Sequence, residues 1–292
     1  MKNIFITGST GFVGKNIIKY FKCKFEFKIF IRNNEIKINE EVVLHFAGKA
    51  HDLKNTSDPQ EYYDVNTELT KKVFDAFLQS TSKVFIILSS VKAAADNVND
   101  ELTEDFIPYP ITDYGKSKLL AEEYILSKII PEDKRVYILR PCMIHGPGNK
   151  GNLNLLNNLI KKGLPWPLGA FENKRSYCSI DNLFFVINEL IDNNKIMSGI
   201  YNIADDTPLS TNELISLIAI NNNKKVKILN ISQILIKRLA KIGDILTLPL
   251  NSETLKKLTE NYIVSNQKIK NAIAKPFPVS TEDGLLKTLS SL

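Results

Sequence analysis

The first twenty-one residues constrain the fold more than any later stretch. An apolar run, Lys2–Thr7, ends at Gly8-Ser9-Thr10-Gly11-Phe12-Val13-Gly14, and an amphipathic pattern from Phe12 to Phe21 follows at once. Glycines in such a place permit a tight turn, close approach of backbone to a pyrophosphate, and close packing of helix on strand. The helix start then offers free N–H groups and a positive dipole end to phosphates. A Gly-rich turn without a ligand is the bland alternative. Its position between a first strand and a helix instead predicts a dinucleotide site built from Gly8, Thr10, Gly11, Phe12, Val13 and Gly14.

Downstream, short β-branched runs alternate with longer helical patterns. Strands are predicted at Phe25–Ile31, Glu41–Phe46, Lys83–Leu88 and Val136–Leu139, and helices at Pro59–Gln79 and Tyr114–Ser127. That alternation predicts an α/β, Rossmann-like, doubly wound parallel sheet. After Arg140, Gly146-Pro147-Gly148, Gly151, Pro165, Pro167 and Gly169 break the pattern. Helices at Leu153–Lys162, Thr211–Ile220 and Ser232–Ile242 follow, with a short strand at Lys225–Ile228. The predicted organisation is a dinucleotide-binding domain over 1–140. A smaller α+β substrate lobe takes up most of 141–292, with some segments returning to the sheet.

The 292 residues are 43% hydrophobic, enough for a large core, and carry a net charge of +6. The lysines are scattered and never condense into a run, so they read as a solvated surface that can attract phosphate-bearing ligands. No recognition helix or aromatic–basic module points to nucleic acid. Cys23, Cys142 and Cys178 are odd in number and far apart, with neither disulfide nor metal-ligand spacing. No apolar run reaches the roughly 18 residues of a membrane span, and Met1–Thr7 is too short for a signal peptide. The chain is expected to be cytoplasmic, with no membrane partner. His45 and His51 have no Cys or carboxylate at a metal-like spacing, so no metal is expected.

Tyr114 and Lys118 stand four apart at the start of a predicted helix and so share a face. A phenol is a poor acid–base at neutral pH, and a nearby ammonium lowers its pKa. Ser90 follows the apolar strand Lys83–Leu88 and would bring a hydroxyl to the same place, the carboxyl end of the sheet. The predicted catalytic set is Ser90, Tyr114 and Lys118, with Ser90 and Tyr114 also touching substrate. Arg32, at the end of the second strand, suits a 2′-phosphate and favours NADP over NAD. An Arg that merely caps a strand in solvent is the alternative.

With Gly8–Gly14, the stretches LHFAGKAH (Leu44–His51), DVNTELT around Asn66, LSS (Leu88–Ser90), YGKSK (Tyr114–Lys118), LRP (Leu139–Pro141) and YNIADDTPLSTNELI (Tyr201–Ile215) resemble the extended short-chain dehydrogenase/reductases. This group comprises the NAD-dependent epimerases and dehydratases. The resemblance implies that Phe46, Ala47 and Gly48 run beside the cofactor and that Lys118 bonds its nicotinamide ribose. It also implies that Asn66 supports the helix behind the site. SSVKAAAD and Arg140–Leu183 are most similar to UDP-N-acetylquinovosamine-type 4-ketoreductases and their 4-epimerase relatives. There the resemblance places Asn152 near the diphosphate, Leu168-Gly169 along the base, and Arg175 on the phosphates. A guanidinium suits that task, while Asn152 reads equally well as a helix N-cap. Two departures stand out. Little room for a third strand remains between Ile31 and Val42, and His145 replaces the family's usual Tyr and reads as structural.

Three sugar reactions share this core. Dehydration needs a further acid and base, and Val91-Lys92 occupies the place where dehydratases carry an Asp-Glu pair. Arg32 and the subgroup likeness favour reduction of a UDP-4-keto-6-deoxy-N-acetylhexosamine for surface polysaccharide synthesis, with NADP preferred and NAD compatible. A UDP-sugar 4-epimerase with bound NAD is the second reading, and a non-catalytic NAD(P)-binding protein the third. Relatives often pair through the helices that carry Asn66 and Tyr114, so a homodimer is compatible.

Overall fold

The computed structural model describes residues 1–31, 34–49, 58–149, 152–246 and 251–292, with Asn152 described by its backbone alone. Eight strands are seen among them: β1 (Lys2–Thr7), β2 (Phe25–Ile29), β3 (Val42–His45), β4 (Val84–Leu88), β5 (Arg135–Pro141), β6 (Met143–His145), β7 (Tyr177–Ser179) and β8 (Gly199–Ile203). Six of them form one wholly parallel sheet in the order β2-β1-β3-β4-β5-β8, and β6 pairs with β7 separately. The order reverses between β1 and β3, so the carboxyl ends of these two strands frame the crevice where open α/β sheets take ligands. β3 and β4 are buried along their whole length, as strands covered on both faces must be.

The helices are α1 (Phe12–Phe21), α2 (Pro59–Tyr62), α3 (Leu69–Gln79), α4 (Asp113–Leu126), α5 (Asn152–Lys161), α6 (Ile180–Asp192), α7 (Thr211–Asn221), α8 (Gln233–Ile245), α9 (Ser252–Thr259), α10 (Gln267–Ile273) and α11 (Thr281–Leu289). On one face of the sheet Ile4, Ile6, Leu44 and Ile86 pack with Ile17 and with Leu183 and Ile187 of α6. On the other, Phe5, Val43, Phe85 and Ile138 meet Phe74 and Phe77 of α3 and Ile125 of α4. A further core joins Leu153 and Leu156 of α5, Trp166, Leu214 and Ile218 of α7, and Leu285 and Leu289 of α11.

Three elements differ from the sequence pattern. The strand expected to run to Ile31 stops at Ile29, and residues 34–41 add no strand, so β2 is a sheet edge. The helix expected over Pro59–Gln79 contains a π-helical stretch, Tyr63–Glu68, between α2 and α3. Lys225–Ile228 is not a strand. It meets the chain through one isolated bridge, Trp166 with Ile228, where the Trp166 N–H donates to the Lys227 carbonyl; the next bridge, Leu168 with Asn230, lies beyond it.

Candidate active site

β4 ends at Leu88, and Ser90 begins a short 3₁₀ turn whose Lys92 N–H donates to the Ser90 hydroxyl at 3.1 Å. Thr112 caps α4 by accepting from Gly115 N–H, and the carboxylate of Asp96 accepts from the N–H groups of Ile111 and Thr112 at 2.6 and 3.0 Å. These clamps fix the helix start that carries Tyr114. Ser90 hydrogen-bonds Tyr114, and the Tyr62 ring stands edge-on to it with centroids 6.1 Å apart. One turn on, buried Lys118 donates from Nζ to the Leu88 carbonyl at 2.9 Å. The three predicted catalytic side chains thus converge at the carboxyl end of β4.

Their protonation differs from the expectation that Lys118 lowers the tyrosine pKa. Desolvation pushes the Tyr114 phenol up, the Ser90 hydrogen bond opposes this, and Tyr62 adds to the rise. Burial brings Lys118 down to about 8 against the pull of Glu122, so its ammonium is only weakly favoured. The phenol here is therefore held in its neutral, proton-bearing form.

The predicted dinucleotide turn is tightly built. Gly8 has φ +71°, and a Cβ there would lie 2.4 Å from the Phe46 carbonyl carbon. A Cβ on Gly14 would lie 2.2 Å from the Gly8 carbonyl oxygen. Only glycine fits at either position. Thr10 and Gly11 are exposed, Phe12 and Val13 are half-buried, and Gly11 begins α1 with no side-chain cap and no acidic residue in the first turn. Uncapped N–H groups and an uncompensated dipole end fit a pyrophosphate. Phe46-Ala47-Gly48 lies against this turn: Phe46 N–H donates to the Thr7 carbonyl and Ala47 N–H to the Thr7 hydroxyl. A Cβ on Gly48 would stand 2.9 Å from Lys118 Nζ, which places the two predicted cofactor segments and the Tyr–Lys pair side by side.

Beneath them Thr7, Thr70 and Glu122, which no sequence motif marks, join His45, expected only not to bind metal, and Asn66, expected to support the helix behind the site. His45, fully buried, joins Thr7 Oγ1 through Nδ1 at 2.8 Å and Thr70 Oγ1 through Nε2 at 2.9 Å. Thr70 spends its hydroxyl hydrogen on the Asn66 carbonyl, so it must accept from Nε2–H. Burial, with the Lys118 charge, brings His45 down to about 3, so the ring is neutral and Nδ1 accepts from Thr7. Asn66 ties the next layer. Its Oδ1 accepts from Lys49 N–H at 2.8 Å, and its Nδ2 donates to Ser117 Oγ at 3.0 Å. Glu122, one turn past Lys118, accepts from Ser89 and holds Arg140 through Nε and Nη2, all three side chains being buried.

The predicted substrate residues are less closely gathered. Arg32 lies outside the described residues, as does the side chain of Asn152, whose backbone opens α5. Leu168 turns into the core beneath α5 and α7, and Gly169, half-buried, packs against Asn230. Arg175 is half-buried, donates to the Lys257 carbonyl, and its charge reaches Tyr262 and Lys92. Tyr262 donates to the Ala95 carbonyl at 2.6 Å, and Lys92 Nζ lies 4.4 Å from its ring centroid, so Arg175 stands beside the Ser90 turn. Val91 is buried and Lys92 engaged there, so neither of the two residues that follow Ser90 is a carboxylate. His145 is fully buried between Thr288 and Asp205, away from this cluster. Among the described residues, no group of His, Cys, Asp and Glu could hold a metal ion, and no helix is long and apolar enough to cross a membrane.

Residues 32–204 match the NAD dependent epimerase/dehydratase family. A UDP-glucose 4-epimerase of Vibrio cholerae is 33% identical over 76% of both chains. The N-acetyl-alpha-D-glucosaminyl-diphospho-ditrans,octacis-undecaprenol 4-epimerase of Escherichia coli O157:H7 is 26% identical over 77% of this chain and 73% of its own. The fold also superposes on the UDP-N-acetylglucosamine 4-epimerase of Bacillus cereus with a TM-score of 0.76 at 18% identity, covering 99% of this chain and 98% of that one.

Proposed function

The chain belongs to the NAD dependent epimerase/dehydratase family, an NAD(P)-dependent enzyme of nucleotide sugars, and from that premise we propose that it reduces carbon 4 of a UDP-linked 4-keto-6-deoxy-N-acetylhexosamine. Residues 1–140 are assigned to cofactor and the bulk of 141–292 to substrate. Gly8, Thr10, Gly11, Phe12, Val13 and Gly14 would hold the pyrophosphate, Phe46–Gly48 and Lys118 would line the nicotinamide half, and Arg32 favours NADPH. When bound, NAD(P) supplies the hydride that carbon 4 takes up.

The observation that carries hydride chemistry at carbon 4 is the convergence of Ser90, Tyr114 and Lys118 at the carboxyl end of β4. Reduction of a ketone needs a proton for the oxygen at carbon 4; the neutral Tyr114 phenol carries one, and its hydrogen bond with Ser90 eases its release against the effect of burial. Ser90 steadies the same oxygen with its hydroxyl, and Lys118 places a cation behind the tyrosine as it releases its proton. Arg175, beside the Ser90 turn, suits the substrate diphosphate. The bare edge of β2 lends support, because a reductase must exchange its cofactor every turnover and nothing in 34–41 extends the sheet over its adenosine end. A 4-epimerase with retained NAD is the second reading, favoured by the names of the two relatives above.

The two readings separate in one assay with the purified protein. Consumption of NADPH with the 4-keto-6-deoxy sugar, and none with UDP-N-acetylhexosamine, is the expected result. Interconversion of UDP-N-acetylhexosamine epimers without added cofactor would instead establish the epimerase. Tyr114→Phe should bind NADPH near normally and lose about two to four orders of magnitude in turnover, read by stopped assay.

A further inference from the structure

Helix α8 keeps one face in the protein and turns an apolar face outward. Ile236, Ala240 and Gly243 are buried, the first two within the core that α5, α7 and α11 share. Ile234, Leu235, Leu239, Ile242 and Ile245 are 46% to 81% exposed. At about 100° per residue these five fall within an arc of about 140°, a continuous stripe rather than scattered surface leucines. Lys237 and Lys241 border the stripe and Arg238 lies within it, all exposed. None of the three is ion-paired with a carboxylate among the described residues. The helix's one acidic residue, Asp244, lies on the same side as the lysines and feels the Lys241 charge, but its carboxylate accepts from Ser252 N–H and the Ser252 hydroxyl at the start of α9.

We propose that α8 docks flat on an anionic lipid bilayer. An apolar stripe flanked on one side by lysines and carrying Arg238 within it matches the boundary between acyl chains and negative headgroups, where long basic side chains reach up to phosphate while their neighbours sink. A second copy of this chain fits the face poorly, because a two-fold contact over the stripe would cover Arg238, and the stripe holds no acid to pair with it. At 13 residues, about 20 Å, the helix cannot span a hydrocarbon core of about 30 Å, so the contact is a surface one. Gln233, at the head of the helix, donates to the Ala170 carbonyl at 2.8 Å. The 166–171 segment of the proposed substrate lobe is thus held on the side of the helix opposite the stripe. The proposal is independent of the direction of the reaction.

Co-sedimentation of the full chain with sucrose-loaded vesicles tests it. Vesicles of phosphatidylcholine with phosphatidylglycerol should carry the protein down, vesicles of phosphatidylcholine alone should carry far less, and added salt should release it. Ile242→Glu with Ile245→Glu should weaken binding by about tenfold or more, and Lys237→Glu with Lys241→Glu should erase the preference for phosphatidylglycerol. Both variants should keep the circular dichroism and the turnover of the parent with a water-soluble nucleotide sugar. Failure of the unaltered protein to sediment with phosphatidylglycerol vesicles, or unchanged binding by a folded Ile242→Glu, Ile245→Glu variant, overturns the proposal. Loss of an oligomer in that variant, seen by light scattering and without vesicle binding, assigns the face to a second copy and overturns it equally. Should the variants not fold, the two vesicle compositions and the salt series on the unaltered protein decide.

Discussion

His45 shows how a buried side chain can be given a direction. Thr70 can only accept from it and Thr7 can only donate to it, so a single tautomer, protonated at Nε2, satisfies both bonds. The chain runs from Ala47 N–H through Thr7, His45 and Thr70 to the Asn66 carbonyl, linking the cofactor-side turn to the residue that braces α4. Nitrogen-15 NMR should therefore report an Nε2-protonated, neutral His45 that does not titrate between pH 8 and 4; a midpoint near 6 would disprove the arrangement. Lys118 gives a second prediction. Its folded pKa, about 8, lies below the unfolded value of 10.5, so between those limits the unfolded chain holds a proton the folded chain has released. Stability should rise with pH across that window, by at most about 3 kcal/mol from this group, and Lys118→Met should lack the rise in urea melts at pH 7.5 and 10. Tyr114 and Lys118 were legible in the sequence because four-residue spacing on a helix is a local fact. His45 was legible only as a non-ligand, because Thr7 and Thr70 lie 38 and 25 residues away and only folding makes them its neighbours.

At the scale of elements, strand and helix starts followed the local chemistry closely. The turn from β1 to α1 is the clearest case, since its glycines are required both by φ and by contact. Gly14→Ala would drive a Cβ into the Gly8 carbonyl, so NADPH binding should weaken about tenfold or more and the fold lose about 1–3 kcal/mol, measured by calorimetric titration and thermal melting. The π-helical stretch at Tyr63–Glu68 could not be read from periodicity, because one widened turn leaves the apolar spacing on either side intact. Its effect is local and specific: Asn66 and Thr67 both reach Ser117, through Nδ2 to the hydroxyl and Oγ1 to the carbonyl. The end of β2 was overextended for the opposite reason. Phe30 and Ile31 continue the apolar pattern, but no third strand is present to pair with them among residues 34–41, and Ile31 is exposed. The spacing of α8 predicts a helix, but Lys237, Arg238 and Lys241 interrupt its apolar residues in the sequence, so the outward stripe forms no long uncharged run.

Across the whole molecule, the parallel sheet has a core on each face, and a third core gathers α5, α7, α8 and α11. Long-range residues close the space between them. Tyr262, far along the chain, donates to the carbonyl groups of Ala95 and Val91 beside Ser90, a contact no local pattern could announce. The cysteines report on this packing. Cys142 and Cys178 are buried with thiols pushed well up by desolvation, while Cys23 is exposed. The native protein should take one equivalent of maleimide, at Cys23, and the other two only after unfolding, as counted by mass spectrometry. The Ser89–Glu122–Arg140 cluster carries a further consequence. It lies one residue from Ser90 and one turn from Lys118, and it spans β4, α4 and β5 with no exposed member. Parting Glu122 from Arg140 strands a charge on each side away from water, so α4, which bears Tyr114 and Lys118, and β5 separate together or not at all. Such a site does not wear out gradually as conditions worsen; its chemistry should persist unchanged to the edge of unfolding and then vanish in one step.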